Sequence, residues 1–295
     1  MSLRSRARAH LPRVTFRADD SHGFPPGHYY SPIPSAAAIA GHRQRIADVP
    51  RSIPGIDADE DGQLALTTQM AAVMGGNGEG PRYRPFNGFF PQGDAVTTQA
   101  LFRLWRPRRV VEVGSGYSSA AMLDVDDTHL DGDIEFTFID PYPDRLRSLL
   151  TDSDRVRVRV LESPVQEVQR TVFDQLTAGD VLFIDSSHVA KLGSDVLVLF
   201  LEIIPSLAAG VHVHVHDIGW PFEYPDEWVS QGWFWSEAYL LRALAIDNPR
   251  LRLRWHSAFL TTFHRPTVTS LLPLWAEEPG SSTWWEILGP TPDSN

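Results

Sequence analysis

Val111-Glu112-Val113-Gly114-Ser115-Gly116-Tyr117-Ser118-Ser119 is the stretch on which the fold turns. A short apolar run, Val110 to Val113, stops at a Gly-Ser-Gly turn, and helix-like spacing resumes near Ser118–Leu123. Gly at 114 and 116 lets the backbone turn sharply and approach a ligand closely. The helix behind it offers an N-terminus that favours anions and carboxylates. The dinucleotide fingerprint asks for a third Gly or Ala where Ser119 stands. Taken alone, the glycine pair leaves open the alternative of a tight strand-to-helix turn with no ligand.

Outward from this turn the pattern alternates. A second strand, Ile134–Ile139, ends at Asp140 before a helix over Asp144–Leu150. A third, Val156–Leu161, precedes a helix over Val165–Leu176, and a fourth, Val181–Ile184, ends at Asp185 before a helix over Asp195–Leu207. A fifth, Val211–Val215, ends at His216-Asp217. Strands alternating with helices predict βαβ units and a parallel sheet covered on both faces. Two later runs, Leu251–Trp255 and Phe259–Phe263, stand too close in sequence for a crossover, so as strands they pair antiparallel. Upstream, a helix is predicted over Gly62–Met74, ended by Gly75-Gly76. Asp94 reads as the N-cap of another over Ala95–Trp105, stopped by Arg106-Pro107. The expected organisation is an N-terminal arm over 1–92 covering the active site or an interface, a cofactor-binding domain over 93–264, and a tail over 265–295.

Composition sets the class. The 295 residues include 42% hydrophobic and 11% aromatic side chains, enough to bury a core. Against 37 acidic residues stand 26 basic ones, a formal charge of −11, which argues against nucleic-acid binding. No apolar run reaches the ~18–20 residues of a membrane span, and the basic start (Arg4, Arg6, Arg8) meets Pro12 rather than an apolar signal core. The expectation is a cytoplasmic protein with no membrane partner, with homo-oligomerisation left open. The absence of Cys excludes disulfides, thiolate metal sites and a Cys nucleophile.

In an open α/β sheet, ligands bind at the carboxyl ends of the strands. Those ends here carry Gly114–Gly116, Asp140, Ser163-Pro164, Asp185–His188 and His216-Asp217. Asp140 is placed to accept both hydroxyls of a ribose, which serves NAD and S-adenosylmethionine equally. Its alternative is to cap the following helix. Glu112 at the end of the first strand and the antiparallel pair near the C-terminus discriminate between the two. With them, the chain resembles the class I S-adenosylmethionine-dependent methyltransferases over roughly residues 87–264. Val-Glu-Val-Gly-Ser-Gly-Tyr-Ser looks like their first motif and Phe138-Ile139-Asp140 like their second. Phe183–His188 and Val215–Ile218 resemble a bacterial branch that includes macrocin-type sugar O-methyltransferases.

The resemblance implies a Rossmann-like α/β fold. Its sheet would be mostly parallel and seven-stranded, with an antiparallel last strand and helices on both faces. It implies S-adenosylmethionine as cofactor. Glu112, Gly114, Ser115, Gly116 and Ser118 would lie along its methionine part, Asp140 at the ribose, Pro164 and Val165 beside the adenine, and Asp185 facing it. Asn87-Gly88-Phe89-Phe90 would close over it. O-methylation is an in-line displacement that needs a base, and His188, three residues after Asp185, matches the branch's catalytic His. Asp185 and Asp217 would orient a small-molecule acceptor (a secondary metabolite, sugar or carboxylate). They would do so directly or through a divalent metal ion, Mg²⁺ or Mn²⁺, held by Asp185, His216 and Asp217. Here the chain departs from the branch, whose acidic pair after the fifth strand is replaced by His216-Asp217. One imidazole for one carboxylate moves ligand preference away from Mg²⁺.

His212, His214 and His216 share one strand face by period two. His214 and His216 form a rival metal pair with Asp185, although packing under the helix layer is the plainer role for His212 and His214. The aromatic stretch Trp220–Trp235 reads as acceptor pocket, packing cap or dimer face. Two other functions stay open. A nicotinamide oxidoreductase shares the Gly turn and Asp140, but Ser119, Glu112 and the lack of a Tyr-x-x-x-Lys pair count against it. A non-catalytic cofactor-binding protein would use the aromatic stretch as a partner surface.

Overall fold

Five short runs of β-branched and aromatic residues form the parallel part of one sheet: β1 Arg109–Val113, β2 Glu135–Ile139, β3 Arg159–Leu161, β4 Val181–Ile184 and β5 His212–Val215. Two more strands, β6 Leu251–His256 and β7 Thr283–Ile287, complete the spatial order β3-β2-β1-β4-β5-β7-β6. The β7 strand runs antiparallel to both β5 and β6. This is the seven-stranded, mostly parallel sheet that the resemblance implies. The computed structural model describes residues 23–45, 47–74 and 80–289. The basic start Arg4–Arg8 and the expected Gly75-Gly76 stop lie outside the described residues.

The chain divides into two units, Met1–Asp48 and Val49–Asn295. The first holds α1 Ala36–Arg45 and a cluster of rings in which His28 stacks on Phe24 and Tyr29, with Tyr30 tilted against Tyr29. The second holds the sheet, with α2 Glu60–Val73, α3 Gln92–Trp105, α4 Tyr117–His129, α5 Asp144–Leu149, α6 Asp152–Arg157 and α7 Thr171–Asp174. There follow α8 Asp195–Val198, running through a π turn at Leu199–Ile203 into α9 Ile204–Ser206, then α10 Asp226–Ser230, α11 Glu237–Ala245, α12 Ser257–Phe263 and α13 Arg265–Leu271. Every residue of β4 and β5 is buried, as strands covered on both faces should be. No helix among the described residues is long and apolar enough to cross a membrane.

Four expectations need correcting. Phe259–Phe263 is not a strand but lies in α12, where the His256 ring accepts from the Phe259 N–H and caps the helix. The antiparallel partner comes instead from the segment expected as a tail. Thr283-Trp284-Trp285-Glu286-Ile287 slots between β5 and β6 and buries both indoles. Tight burial of two tryptophans outweighs the modest strand signal of 259–263. The third strand begins only at Arg159, because Thr151 and Asp154 form a reciprocal capping box that winds 152–157 into α6. The helix expected over 165–176 is only a short 3₁₀ turn, Val165–Glu167, followed by α7.

Asp94 is also not an N-cap. The helix α3 starts two residues before it, and its carboxylate is fully buried. There it accepts from the backbone N–H groups of Ser281 and Ser282, each at 3.0 Å, and lies 3.0 Å from His216 Nε2. One carboxylate thus ties α3 to β5 and to the chain entering β7.

A second buried group fixes the segment before α3. Arg82 donates to Asp154 through Nε and Nη2 (2.8 and 2.6 Å), to Asp124 (2.8 Å) and to Asp127 (2.6 Å). Asp124 also accepts from the Tyr83 N–H at 2.8 Å. These bonds fasten Arg82 and Tyr83 to α4 and α6.

Candidate active site

The strand order reverses between β1 and β4, and the chain ends that leave these strands face each other across the gap. Gly114 follows β1 with φ +80°, and a Cβ placed there would sit 1.8 Å from the Asp185 carbonyl oxygen. The glycine is therefore demanded by the neighbouring backbone as well as by its own left-handed conformation. Asp140, at the end of β2, accepts from the Ser115 N–H and hydroxyl, both at 3.0 Å, and from the Tyr142 N–H at 2.7 Å. The carboxylate is held facing the turn.

A cleft of about 1060 Å³ opens over this edge. That is the upper end of the ~300–1,000 Å³ typical of ligand pockets, enough for a cofactor with a small acceptor beside it. Its walls include Gly114, Ser115, Gly116, Ser118, Asp140, Pro164, Val165, Asp185, His188 and Asp217. The structure thus brings together the expected catalytic, cofactor-binding and metal-holding residues with two exceptions, Glu112 and His216. Gly88, Phe89 and Phe90 also line it. The Asn87 side chain accepts from the Phe89 and Phe90 N–H groups (2.9 and 2.8 Å) and shapes that turn. Phe89 lies against Tyr117 and carries the Arg145 guanidinium 3.7 Å from its ring centre.

Glu112 is the first exception. It is fully buried behind the turn rather than in the cleft wall. Ser118 Oγ donates to one of its oxygens at 2.5 Å and Ser119 Oγ to the other. Burial raises its pKa to about 8 against the lowering effect of these two hydroxyls. Ser119, the departure from the dinucleotide fingerprint, also accepts from the Gly116 N–H at 3.0 Å. Glu112 therefore supports the turn from beneath, and only Ser118 reaches the cleft.

His216 is the second. Its ring is buried, with Nε2 3.0 Å from Asp94 and Nδ1 3.4 Å from both Asp185 Oδ1 and Asp217 Oδ1. Burial works against its charge, but the surrounding carboxylates win and raise its pKa well above the usual value. Its Nε2 is engaged by Asp94, so Nδ1 alone is left to face Asp185 and Asp217. Among the described residues no group of three or more His, Asp or Glu side chains is arranged to hold the expected divalent ion. His216 instead lies among the carboxylates of Asp94, Asp185 and Asp217. His212 and His214 are packed, His212 stacked on Trp105 at 3.7 Å and His214 on Phe183 at 3.6 Å with Nε2 2.9 Å from Ser282 Oγ.

His188 sits where β4 hands over to its loop, in a left-handed conformation at φ +60°, as does Asp217 at φ +58°. Nonglycine residues held there mark a constrained site. Its Nε2 lies 3.6 Å from Asp185 Oδ1 and 3.7 Å from Asp217 Oδ2, at the cleft surface. Its Nδ1 lies 2.8 Å from Glu237 Oε2. Burial lowers the pKa of the ring, but the Glu237 hydrogen bond and the charges of Glu237, Asp217 and Asp185 outweigh it and raise it to about 9. Asp217 also accepts from Ser281 Oγ at 2.7 Å. Burial raises its pKa, but His216 and His188 bring it down to about 2.

Sequence reasoning missed Glu237, which Ser236 and a following helix made look like an ordinary first-turn acid. It also missed Arg145, Tyr142, Glu278 and Ser281 in the cleft wall. The aromatic stretch divides in two. Trp220 and Phe222 are packed against His256, while Trp228, Trp233 and Trp235 form a wall of the cleft. The three indoles lie within 5.1–6.0 Å of one another.

The Methyltransf_24 family model, a methyltransferase domain, matches residues 111–218. An uncharacterized protein of Archaeoglobus fulgidus is 32% identical over 164 residues, covering 52% of this chain and 73% of that protein. The crystal structure of the Podospora anserina methyltransferase PaMTH1 bound to SAH is similar at 14% identity and a TM-score of 0.42, over 87% of this chain and 98% of that one. The O-methyltransferase TomG from Streptomyces achromogenes, in complex with SAM, is similar at 12% identity and a TM-score of 0.43, over 78% and 99%.

Proposed function

Since the chain belongs to the class I S-adenosylmethionine-dependent methyltransferases, we propose that it methylates an oxygen of a small hydroxylated molecule, with His188 as the general base. The observation that carries this reading is the placement of His188 Nε2. It stands between Asp185 and Asp217, in the same cleft as the Gly114–Ser118 turn and Asp140. S-adenosylmethionine, when bound, supplies a methyl group on a sulfonium, which leaves as a thioether. The chain's own residues do the rest. The Gly114–Ser118 backbone receives the methionine end, and Asp140 has carboxylate lone pairs for the ribose hydroxyls. Pro164 and Val165 form the apolar flank for the base. As the acceptor oxygen bonds to the methyl carbon, its proton passes to His188 Nε2, and Glu237 balances the resulting charge on Nδ1–H.

The acceptor end of the cleft favours an uncharged or cationic molecule with a flat apolar face. Trp228, Trp233, Trp235 and Pro225 offer ring surfaces, while Asp185, Asp195 and Asp217 supply negative charge. Among the described lining residues Arg145 is the only Arg or Lys, and its guanidinium rests on Phe89. This composition disfavours a carboxylate acceptor. Transfer of labelled methyl from S-adenosylmethionine to hydroxylated ring compounds, each paired with its carboxylated counterpart, tests the reading. Transfer to the uncharged member is expected to be about tenfold or more faster, corresponding to at least ~1.4 kcal/mol. Faster transfer to the carboxylated member contradicts it.

A further inference from the structure

We propose that Glu237 is a positioning residue for His188, setting the ring so that Nε2 alone faces the acceptor; the assignment rests on His188 being the base. Three contacts made by one short segment fix the histidine. Glu237 Oε2 lies 2.8 Å from Nδ1. The backbone N–H groups of Ser236 and Glu237 both donate to the His188 carbonyl, at 3.0 and 3.1 Å. The Trp235 ring packs against the imidazole at 4.3 Å between centroids. The Ser236 hydroxyl accepts from the Ala190 N–H at 2.9 Å and pins the loop once more. The start of α11 therefore clamps both the ring and the backbone that holds it in its left-handed conformation.

Burial of Glu237 has no other explanation in the fold. Its side chain is 1% exposed, its Oε1 is buried without a hydrogen-bond partner, and Oε2 is spent on His188. A buried carboxylate with one partner and one bare oxygen is a poor way to stabilise a core. Its return is chemical. Accepting from Nδ1–H selects the tautomer whose Nε2 lone pair points into the cleft, and the negative charge stabilises the imidazolium once the proton arrives. The other charged groups facing the ring, Asp185 and Asp217, lie at Nε2 and cannot do this.

The test compares Glu237→Gln, Glu237→Asp, His188→Ala and the double variant. Turnover is read as S-adenosylhomocysteine release, using the best acceptor from the paired screen, alongside S-adenosylhomocysteine affinity and Tm. Glu237→Gln is expected to lower kcat by about tenfold or more, with the Kd for S-adenosylhomocysteine within about twofold and Tm unchanged or raised. Glu237→Asp recovers part of the loss, and adding Glu237→Gln to His188→Ala changes nothing further. In ¹⁵N spectra of the complex with S-adenosylhomocysteine, recorded above pH 9 where the ring is neutral, the native ring carries its proton on Nδ1, and Glu237→Gln admits the other tautomer. Native kcat in Glu237→Gln, with His188→Ala impaired, overturns the positioning role alone. So does a parallel fall in kcat, affinity and Tm, which marks a structural role. Undiminished turnover in His188→Ala overturns the base and, with it, this assignment.

Discussion

Replacing His188 by Ala is expected to lower turnover by about 10²–10⁴-fold, the usual contribution of a positioned general base, while S-adenosylhomocysteine binds as before. The separation follows from the geometry. His188 touches Asp185, Asp217, Glu237 and Trp235 at the acceptor end of the cleft. The proposed cofactor end comprises Gly114–Ser118 and Asp140, where Ser115 and Asp140 hold each other without it. The native enzyme should also show a pH dependence of defined sign. A base must be neutral to take a proton, and His188 has its pKa raised to about 9. Turnover should therefore rise about tenfold per pH unit below that value and level off above it. A profile centred near the ordinary ~6.5 of histidine, or equal loss of turnover and cofactor affinity in His188→Ala, is the contrary result.

Gly114→Ala should be the most damaging single change to the folded chain. The added Cβ would meet the Asp185 carbonyl at 1.8 Å, so the ends of β1 and β4 would have to part. They are joined by the hydrogen bond from Asp185 N–H to the Val113 carbonyl at 2.9 Å. The left-handed φ of +80° adds about 1–2 kcal/mol on its own. Together these exceed the ~0.5–3 kcal/mol of an ordinary substitution. Tm should fall by about 10 °C or more, at roughly 2–4 °C per kcal/mol for a domain of this size, and S-adenosylhomocysteine binding should be lost. Native Tm and native affinity in Gly114→Ala would show that the strand ends are not packed as described. Gly116→Ala should be far milder, because its Cβ would meet only the movable Arg145 side chain, at 2.9 Å.

The parallel half of the sheet was legible because its strands are doubly buried and read as unbroken apolar runs ended by polar residues. Asp140, Asp185 and Asp217 announced themselves as acids at strand ends, and the sheet carries all three to one cleft. The edge of the sheet was less legible. Phe259–Phe263 and Thr283–Ile287 are both short aromatic segments, and only tertiary burial of Trp284 and Trp285 decides which becomes the strand. Buried charge was hardest to read. Asp94, Arg82 and Glu237 each carry a plausible local role in sequence as a cap, a surface cation or a first-turn acid. Their partners lie 122, 72 and 49 residues away and appear only when the chain is folded. Glu112 was found for the right turn but given the wrong task, since nothing local says that Ser118 and Ser119 occupy both its oxygens.

The central claim is that the edge formed by β1, β2 and β4 binds S-adenosylmethionine. Calorimetric titration with S-adenosylhomocysteine, with NADH as control, addresses it most directly, on the native chain and on Asp140→Ala. S-adenosylhomocysteine should bind at one site per chain and NADH should not. Asp140→Ala should weaken the binding by about 10–150-fold, the loss of a charge-assisted hydrogen bond worth ~1.5–3 kcal/mol. Heat from NADH, no heat from either nucleotide, or native affinity in Asp140→Ala would contradict the account.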